Sequence, residues 1–207
     1  RPLHLALSYD EEVGCIGVRG LLSELAGKPV LPAACIVGEP TMMEVAIGHK
    51  AKRSLRIVVT GTAGHSSRAP QFVNAVEHAA RIVVRMREIG QRLAAGSGRD
   101  ELFDIAHTTA HVGTMHGGTA LNIVPDLCEM EFEIRNVVGD DPDALIADLV
   151  ADAEAIAAPH RNRFPQARIE IVEVSGYPGL ETAPDLPAVA LIRALLGQDE
   201  PTIKVSF

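Results

Sequence analysis

The feature that most constrains this chain is the repeated switching of its hydrophobic period between Lys52 and Val174. Ser54 to Thr60 alternates, with Leu55, Ile57 and Val59 on one face, which is the pattern of a half-buried strand. Asn74 to Leu93 then carries apolar residues at helical spacing, long enough for an amphipathic helix. His107 to Gly113 and Asp126 to Arg135 return to strand character, and Cys128, Met130, Phe132 and Ile134 give the second its alternation. Pro142 to Ala158 reads as a helix, with Asp141 as its N-cap and Pro142 at the first helical position. Arg168 to Val174 is a last alternating strand. The order β-α-β-β-α-β is ferredoxin-like and predicts a four-stranded antiparallel sheet with two helices on one face.

The flanks have a different character. Leu3 to Ser8 and Ala33 to Val37 are short apolar runs that read as buried strands. Between them Ile16 to Ala26 has helical periodicity and stops at Gly27. Strand, helix, strand with short connections predicts a βαβ unit in a mostly parallel sheet. Val45 to Gly48 reads as a strand, and Ala95 to Arg99 as a loop. After Gly176, a loop with Pro178 and Pro184 leads to a helix over Leu186 to Leu196 and an apolar, strand-like run over Thr202 to Phe207. The reading is an α/β chain in which residues 1–47 and 177–207 belong to one partial domain and 48–176 form an inserted ferredoxin-like domain. Both ends open or close within apolar runs and are expected to be cut points of a longer protein.

Composition narrows the functional classes. A net charge of −8 disfavours nucleic acid and anionic membrane, both of which select clustered Lys and Arg. Aromatics are scarce and Trp is absent, so a base-stacking platform is also unexpected. No apolar run is long enough to span a bilayer. Cys15, Cys35 and Cys128 are far apart and form no CxxC pair, so they read as buried small hydrophobes in a reducing, cytoplasmic setting.

Four short segments could carry chemistry. Asp10-Glu11-Glu12 places three carboxylates directly after an apolar run. A divalent cation would relieve their repulsion, but on spacing alone a solvated acidic loop or a helix start is the better reading. Gly38-Glu39-Pro40-Thr41 puts another carboxylate after the second apolar run, and an ordinary proline turn is its plainer reading. Gly61-Thr62-Ala63-Gly64-His65-Ser66-Ser67 is a small-residue loop with one imidazole, which is either a donor to a developing oxyanion or a loop histidine without a role. Gly117-Gly118-Thr119-Ala120-Leu121-Asn122 is a turn before a strand that ends at Arg135, a residue suited to a substrate carboxylate or to a surface salt bridge. His107-Thr108-Thr109-Ala110-His111 has zincin spacing, but it lacks the Glu and its threonines favour strand, so both histidines read as structural.

Taken in order, DEE, GEPT, GHSS, GGTALNIVP and EIR resemble the zinc aminoacylase and carboxypeptidase family over nearly the whole chain. Gly48-His49-Lys50 and Tyr177-Pro178-Gly179 are most similar to its acetylornithine-deacetylating branch, and Ala51 stands where family members usually have Gly. The resemblance implies Glu11 as general base, Glu12 as a ligand of one zinc and Glu39 as a ligand of the other. It implies His65 as an oxyanion-stabilising residue that crosses into a partner subunit. It implies Asn122 and Arg135 as substrate-holding residues, Arg135 through a carboxylate. The implied reaction is deacylation of a small N-acyl amino acid, N-acetylornithine first, by a homodimer with two zinc ions per site, or cobalt in their place. A succinyl-diaminopimelate or peptide substrate is the alternative within the family, and a non-catalytic dimerisation module is the alternative outside it. The family's HxD segment, bridging aspartate and final histidine have no match here, so this chain alone is expected to hold zinc weakly or not at all and to be inactive.

Overall fold

A computed structural model of the chain describes residues 3–96, 98–197 and 202–206. Arg1, Ser97 and Phe207, touched by the expected chain opening, the 95–99 loop and the last apolar run, lie outside the described residues. The chain divides into two compact units, one of residues up to Val45 with the 185–197 segment, the other of Ala46–Pro184 with residues 202–206.

The second unit contains the expected ferredoxin-like layer. Its strands are β2 (Ala51–Thr60), β4 (Thr109–Gly117), β6 (Leu127–Asn136) and β7 (Arg168–Tyr177), preceded by β1 (Ala46–His49) and interleaved with β3 (Gly64–His65) and β5 (Ile123–Val124). The four long strands form an antiparallel sheet in the order β4-β6-β2-β7. Two helices, α2 (Ala75–Ala95) and α3 (Pro142–Ala157), cover one face, α2 lying over β4, β6 and β2, and α3 over β7. Leu55, Ile57 and Val59 of β2 and Cys128, Met130, Phe132 and Ile134 of β6 are all buried under them. They meet Ala79, Ile82 and Met86 of α2 and Leu149, Ala153 and Ile156 of α3. Each fully buried Leu, Ile or Phe contributes about 1.5–3 kcal/mol, so the alternation itself selects this face. Both helix starts are capped by side chains: Asn74 accepts from the amides of Val76 and Glu77, and Asp141 from those of Asp143 and Ala144.

A smaller sheet was not foreseen. β8 (Leu180–Glu181) and β9 (Ile203–Val205) flank β1, β8 antiparallel and β9 parallel to it. The run after Thr202 therefore joins the second unit instead of returning to the first. A two-residue strand inside a proline-bearing loop leaves no period in the sequence to read.

In the first unit the two helices are found, α1 (Val18–Ala26) and α4 (Pro187–Leu196). The two strands expected over 3–8 and 33–37 are not: both segments are irregular, and Leu3, Leu5, Leu7, Ile36 and Val37 are exposed. The expected βαβ sheet is thus absent among the described residues. An apolar run becomes a strand only through hydrogen bonds to a neighbouring strand, and none lies beside either segment among the described residues. The same absence corrects the reading of the cysteines: Cys128 is buried, Cys15 half-buried and Cys35 exposed, and all three are free thiols. No helix among the described residues is long and apolar enough to cross a membrane.

Candidate functional site

The loop carrying His65 is built by close packing. An ideal Cβ at Gly64 would fall 2.2 Å from the Phe72 ring, so no larger residue fits there without displacing it. Thr62 clamps the far side: its amide donates to the Val73 carbonyl at 2.8 Å, and its Oγ1 accepts from the Val73 amide at 2.7 Å. Gly64 and His65 pair as β3 with Val124 and Ile123 of β5, and the Ser66 amide donates to the Asn122 carbonyl at 2.9 Å. This ladder brings His65 and Asn122 together, and both side chains are exposed. Gly118, at a φ of +81°, turns the chain before Asn122, and Leu121 beside it is fully exposed at 101%.

His65 Nδ1 accepts from the Ser67 amide at 3.2 Å and lies 2.8 Å from the Ser67 hydroxyl. A neutral ring accepting at Nδ1 carries its proton on Nε2, which leaves Nε2 as a donor.

Arg135 lies elsewhere. It stands near the far end of β6, roughly 27 Å along the strand from Leu127, from about 3.4 Å per residue. The structure therefore does not bring Arg135 to His65 and Asn122 within one chain. Its guanidinium donates to the Tyr177 hydroxyl at 2.8 Å and to Glu133 at 3.2 Å, and the Tyr177 ring meets the edge of His49 at 5.9 Å. The Tyr177 hydroxyl thus fixes the Arg135 guanidinium, a contact between residues 42 positions apart that strand patterns alone do not reveal. Arg135 lines an open cleft of about 680 Å³ with Leu102, Asp104, Glu133, Lys204 and the neighbouring β9 residues.

Two lysines, Lys204 in this cleft and Lys50, are buried against the Phe103 ring, which no sequence pattern signals. Lys50, 1% exposed, donates to the His107 carbonyl at 2.7 Å, and burial pushes its ammonium below the usual lysine range. Lys204 is also buried, which disfavours its charge, but hydrogen bonds to Asp100 and Glu181 outweigh that and raise its pKa. Lys50 and Lys204 lie 5.5 and 5.6 Å from the Phe103 ring centroid. His107 is in irregular chain and His111 in β4, so neither belongs to a helical metal motif.

In the first unit, Glu11, Glu12 and Glu39 are exposed. The Glu11 carbonyl accepts from Gly14 and Cys15 at 3.0 and 2.9 Å, closing a tight turn, and Asp10 and Cys15 on either side adopt positive φ. The Glu11 carboxylate lies 3.8 Å from the Cys15 thiol, whose pKa is raised first by burial, then by Glu11, with a further push from the Glu39 charge. No group of three or more His, Cys, Asp or Glu side chains that could share a metal ion is present among the described residues. Glu12 and Glu39 have the oxygen donors zinc accepts, but two such ligands do not make a closed site, so the residues present do not by themselves fit a dinuclear centre.

The sheet order, its covered face and the loop pair define an α/β chain built around a two-layer domain of four antiparallel strands and two helices. Residues 47–161 match the family model of the peptidase dimerisation domain, and the chain belongs to that family, the M20 dimerisation domain. The acetylornithine deacetylase of Aliivibrio salmonicida is 30% identical over 207 residues, covering 98% of this chain and 52% of that protein. The acetylornithine deacetylase of Proteus mirabilis is 30% identical over 203 residues, covering 98% and 50%. The fold is shared with the aminopeptidase PepT of Bacillus cereus (22% identity, TM-score 0.67, 96% of this chain and 48% of that one) and with a tripeptidase of Staphylococcus aureus (24%, 0.65, 96% and 49%). The chain spans about half the length of the relatives it matches.

Proposed function

We propose that this chain is the dimer-forming half of an amidohydrolase that deacylates a small N-acyl amino acid, N-acetylornithine first, and that it acts as a homodimer. The observation that carries the reading is the separation of His65 and Asn122 from Arg135 along β6. A ligand of amino-acid size cannot touch both ends of one sheet, but one chain's Arg135 and a second chain's His65 and Asn122 can share it. The names of the relatives support the deacetylase reading, and the family's description supports the dimer.

The roles divide accordingly. Arg135, held by Tyr177 and Glu133, binds the substrate carboxylate through its planar fork. The Nε2 proton of His65 donates to the oxygen that gains charge as water adds to the acyl carbonyl. Asn122 holds the acyl amide beside it. Glu11 takes a proton from the attacking water and returns it to the leaving amine as the C–N bond breaks. Bound metal in such enzymes activates water and polarises the carbonyl; the donors in this chain do not complete that site. Zinc or cobalt would be held by Glu12 and Glu39 with further ligands outside this set. The absence of nucleic acid and anionic membrane as partners agrees with the acidic composition, and a cytoplasmic setting with the three free thiols.

The test is turnover of N-acetyl-L-ornithine by the whole protein with zinc or cobalt supplied, beside Glu11→Gln. Turnover abolished in the variant supports the reading. A folded, metal-loaded protein that leaves this substrate intact overturns it and favours the succinyl-diaminopimelate, peptide or non-catalytic alternatives. The isolated chain is expected to retain less than one zinc after dialysis; stoichiometric metal by elemental analysis contradicts that expectation.

A further inference from the structure

We infer that the cleft beside Arg135 selects an N-acyl amino acid with a cationic side chain, and that the Asp104 carboxylate receives that cation. This rests on the reading of Arg135 as the group that holds the substrate carboxylate, and it adds the residue that recognises the other end.

The charges lining the cleft are unequally matched. Lys204 is saturated: its Nζ donates to Asp100 and Glu181, each at 2.6 Å. Glu133 sits between Arg135 at 3.2 Å and Lys52 at 3.6 Å, so two cations already neutralise it. Asp104 differs. It accepts the Ser206 hydroxyl and forms no ion pair among the described residues. The cation that acts on it from a distance is Lys50, which is buried and committed to the His107 carbonyl. The Ser206 hydroxyl and the Ile105 amide hold its carboxyl below the usual carboxylate range, so it is an anion at neutral pH. A carboxylate offers about four lone-pair directions, so the Ser206 hydroxyl and the backbone amides of Ile105 and Asp104 still leave room for one charged donor of a ligand.

Part of the cleft lining is apolar. Leu102, Ile203 and Val205 line the same cleft as Asp104 and Arg135. Methylenes can lie there while a carboxylate meets Arg135 and an ammonium meets Asp104. A side chain ending in a methyl would leave Asp104 unpaired against apolar surface, and an acidic one would repel it. Discrimination then comes from the rejected ligand as much as from the accepted one.

The experiment is calorimetric titration of the 207-residue chain with N-acetyl-L-ornithine and with N-acetyl-L-norvaline, which has the same carbon skeleton without the terminal amine. The ornithine derivative should bind about tenfold tighter or more, the range of a hydrogen bond to a charged group. In Asp104→Asn the discrimination should disappear, with norvaline bound no more weakly than before, which shows that the cleft is intact. Equal affinities in the unaltered chain, or discrimination that survives Asp104→Asn, overturn the assignment of Asp104 and leave the Arg135 reading standing. Norvaline binding that ignores Arg135→Met, or no binding of either ligand, overturns the Arg135 reading and this inference with it.

Discussion

The Ser66 amide donates to the Asn122 carbonyl at 2.9 Å, so the loops that carry His65 and Asn122 are joined through their main chains. Two side chains 57 positions apart are thereby held in one place by backbone, whatever their own rotamers.

That joint depends on Gly64. A side chain there must displace Phe72. Gly64→Val is expected to destabilise the second unit by about 1–3 kcal/mol, the usual cost of overpacking, and to speed hydrogen exchange at the Ser66 amide. Urea titration and exchange NMR read the two effects. An unchanged Ser66 exchange rate would mean that the loop pair does not depend on this packing.

The caps of α2 and α3 make an additive pair. Asn74→Ala and Asp141→Ala each remove a side-chain acceptor from two main-chain amides. Each is expected to cost about 1 kcal/mol, and the double variant about the sum, because the caps belong to different helices. Denaturant midpoints of the three variants check this.

His78 makes stability depend on pH. Burial holds its pKa below the ordinary histidine value, with help from His160, whose ring lies 4.9 Å away, and from Arg81. In the window between the folded value and the unfolded one near 6.5, the unfolded chain binds more protons, so stability rises with pH. The contribution is complete above about pH 6.5. It falls as pH drops below that and levels off under the folded value. Urea midpoints at several pH values should show this slope, and His78→Gln should reduce it. A slope identical in the variant assigns it to other groups.

The thiols should react in a fixed order. Cys35 is exposed, Cys15 half-buried with a raised pKa, and Cys128 buried with its pKa raised by burial and by Glu129. Alkylation at mild alkaline pH followed by mass spectrometry should modify Cys35 first, Cys15 next and Cys128 on unfolding. Glu11→Gln should accelerate Cys15, because it removes a negative charge beside the thiolate. No acceleration would place Glu11 away from Cys15 in solution.

The edge β4 is the expected seam between copies. Thr109–Gly117 contains no Asp, Glu, Lys or Arg, whereas the opposite edge β7 carries Arg168, Glu170 and Glu173. Edges that must stay single are commonly guarded by charge. Thr114→Lys sets like charges across a two-fold seam and should weaken dimerisation about tenfold or more, while Val172→Lys on β7 should not. Sedimentation of both variants decides between the edges.

The ferredoxin-like layer was legible because burial on one face repeats along the chain. Leu55, Ile57 and Val59 alternate, and so do Cys128 to Ile134, and no distant residue is needed to see it. The caps were equally local, as Asp141 and Pro142 show. The segments 3–8 and 33–37 misled for the opposite reason. Their apolarity is local, but a strand is a relation between neighbours, and these have none among the described residues.

By itself the sequence determined which residues alternate, where helices begin, and which chemistry-bearing side chains exist: Glu11, Glu12, Glu39, His65, Asn122 and Arg135. Period, capping and side-chain chemistry are properties of a residue and its near neighbours. Tertiary structure alone decided that His65 meets Asn122, that Arg135 stands at the other end of the sheet on Tyr177, and that Asp104 and Ser206 share its cleft. Strand register and the packing of β9 beside β1 set those distances, and both depend on contacts between residues far apart in the chain, which no local pattern encodes.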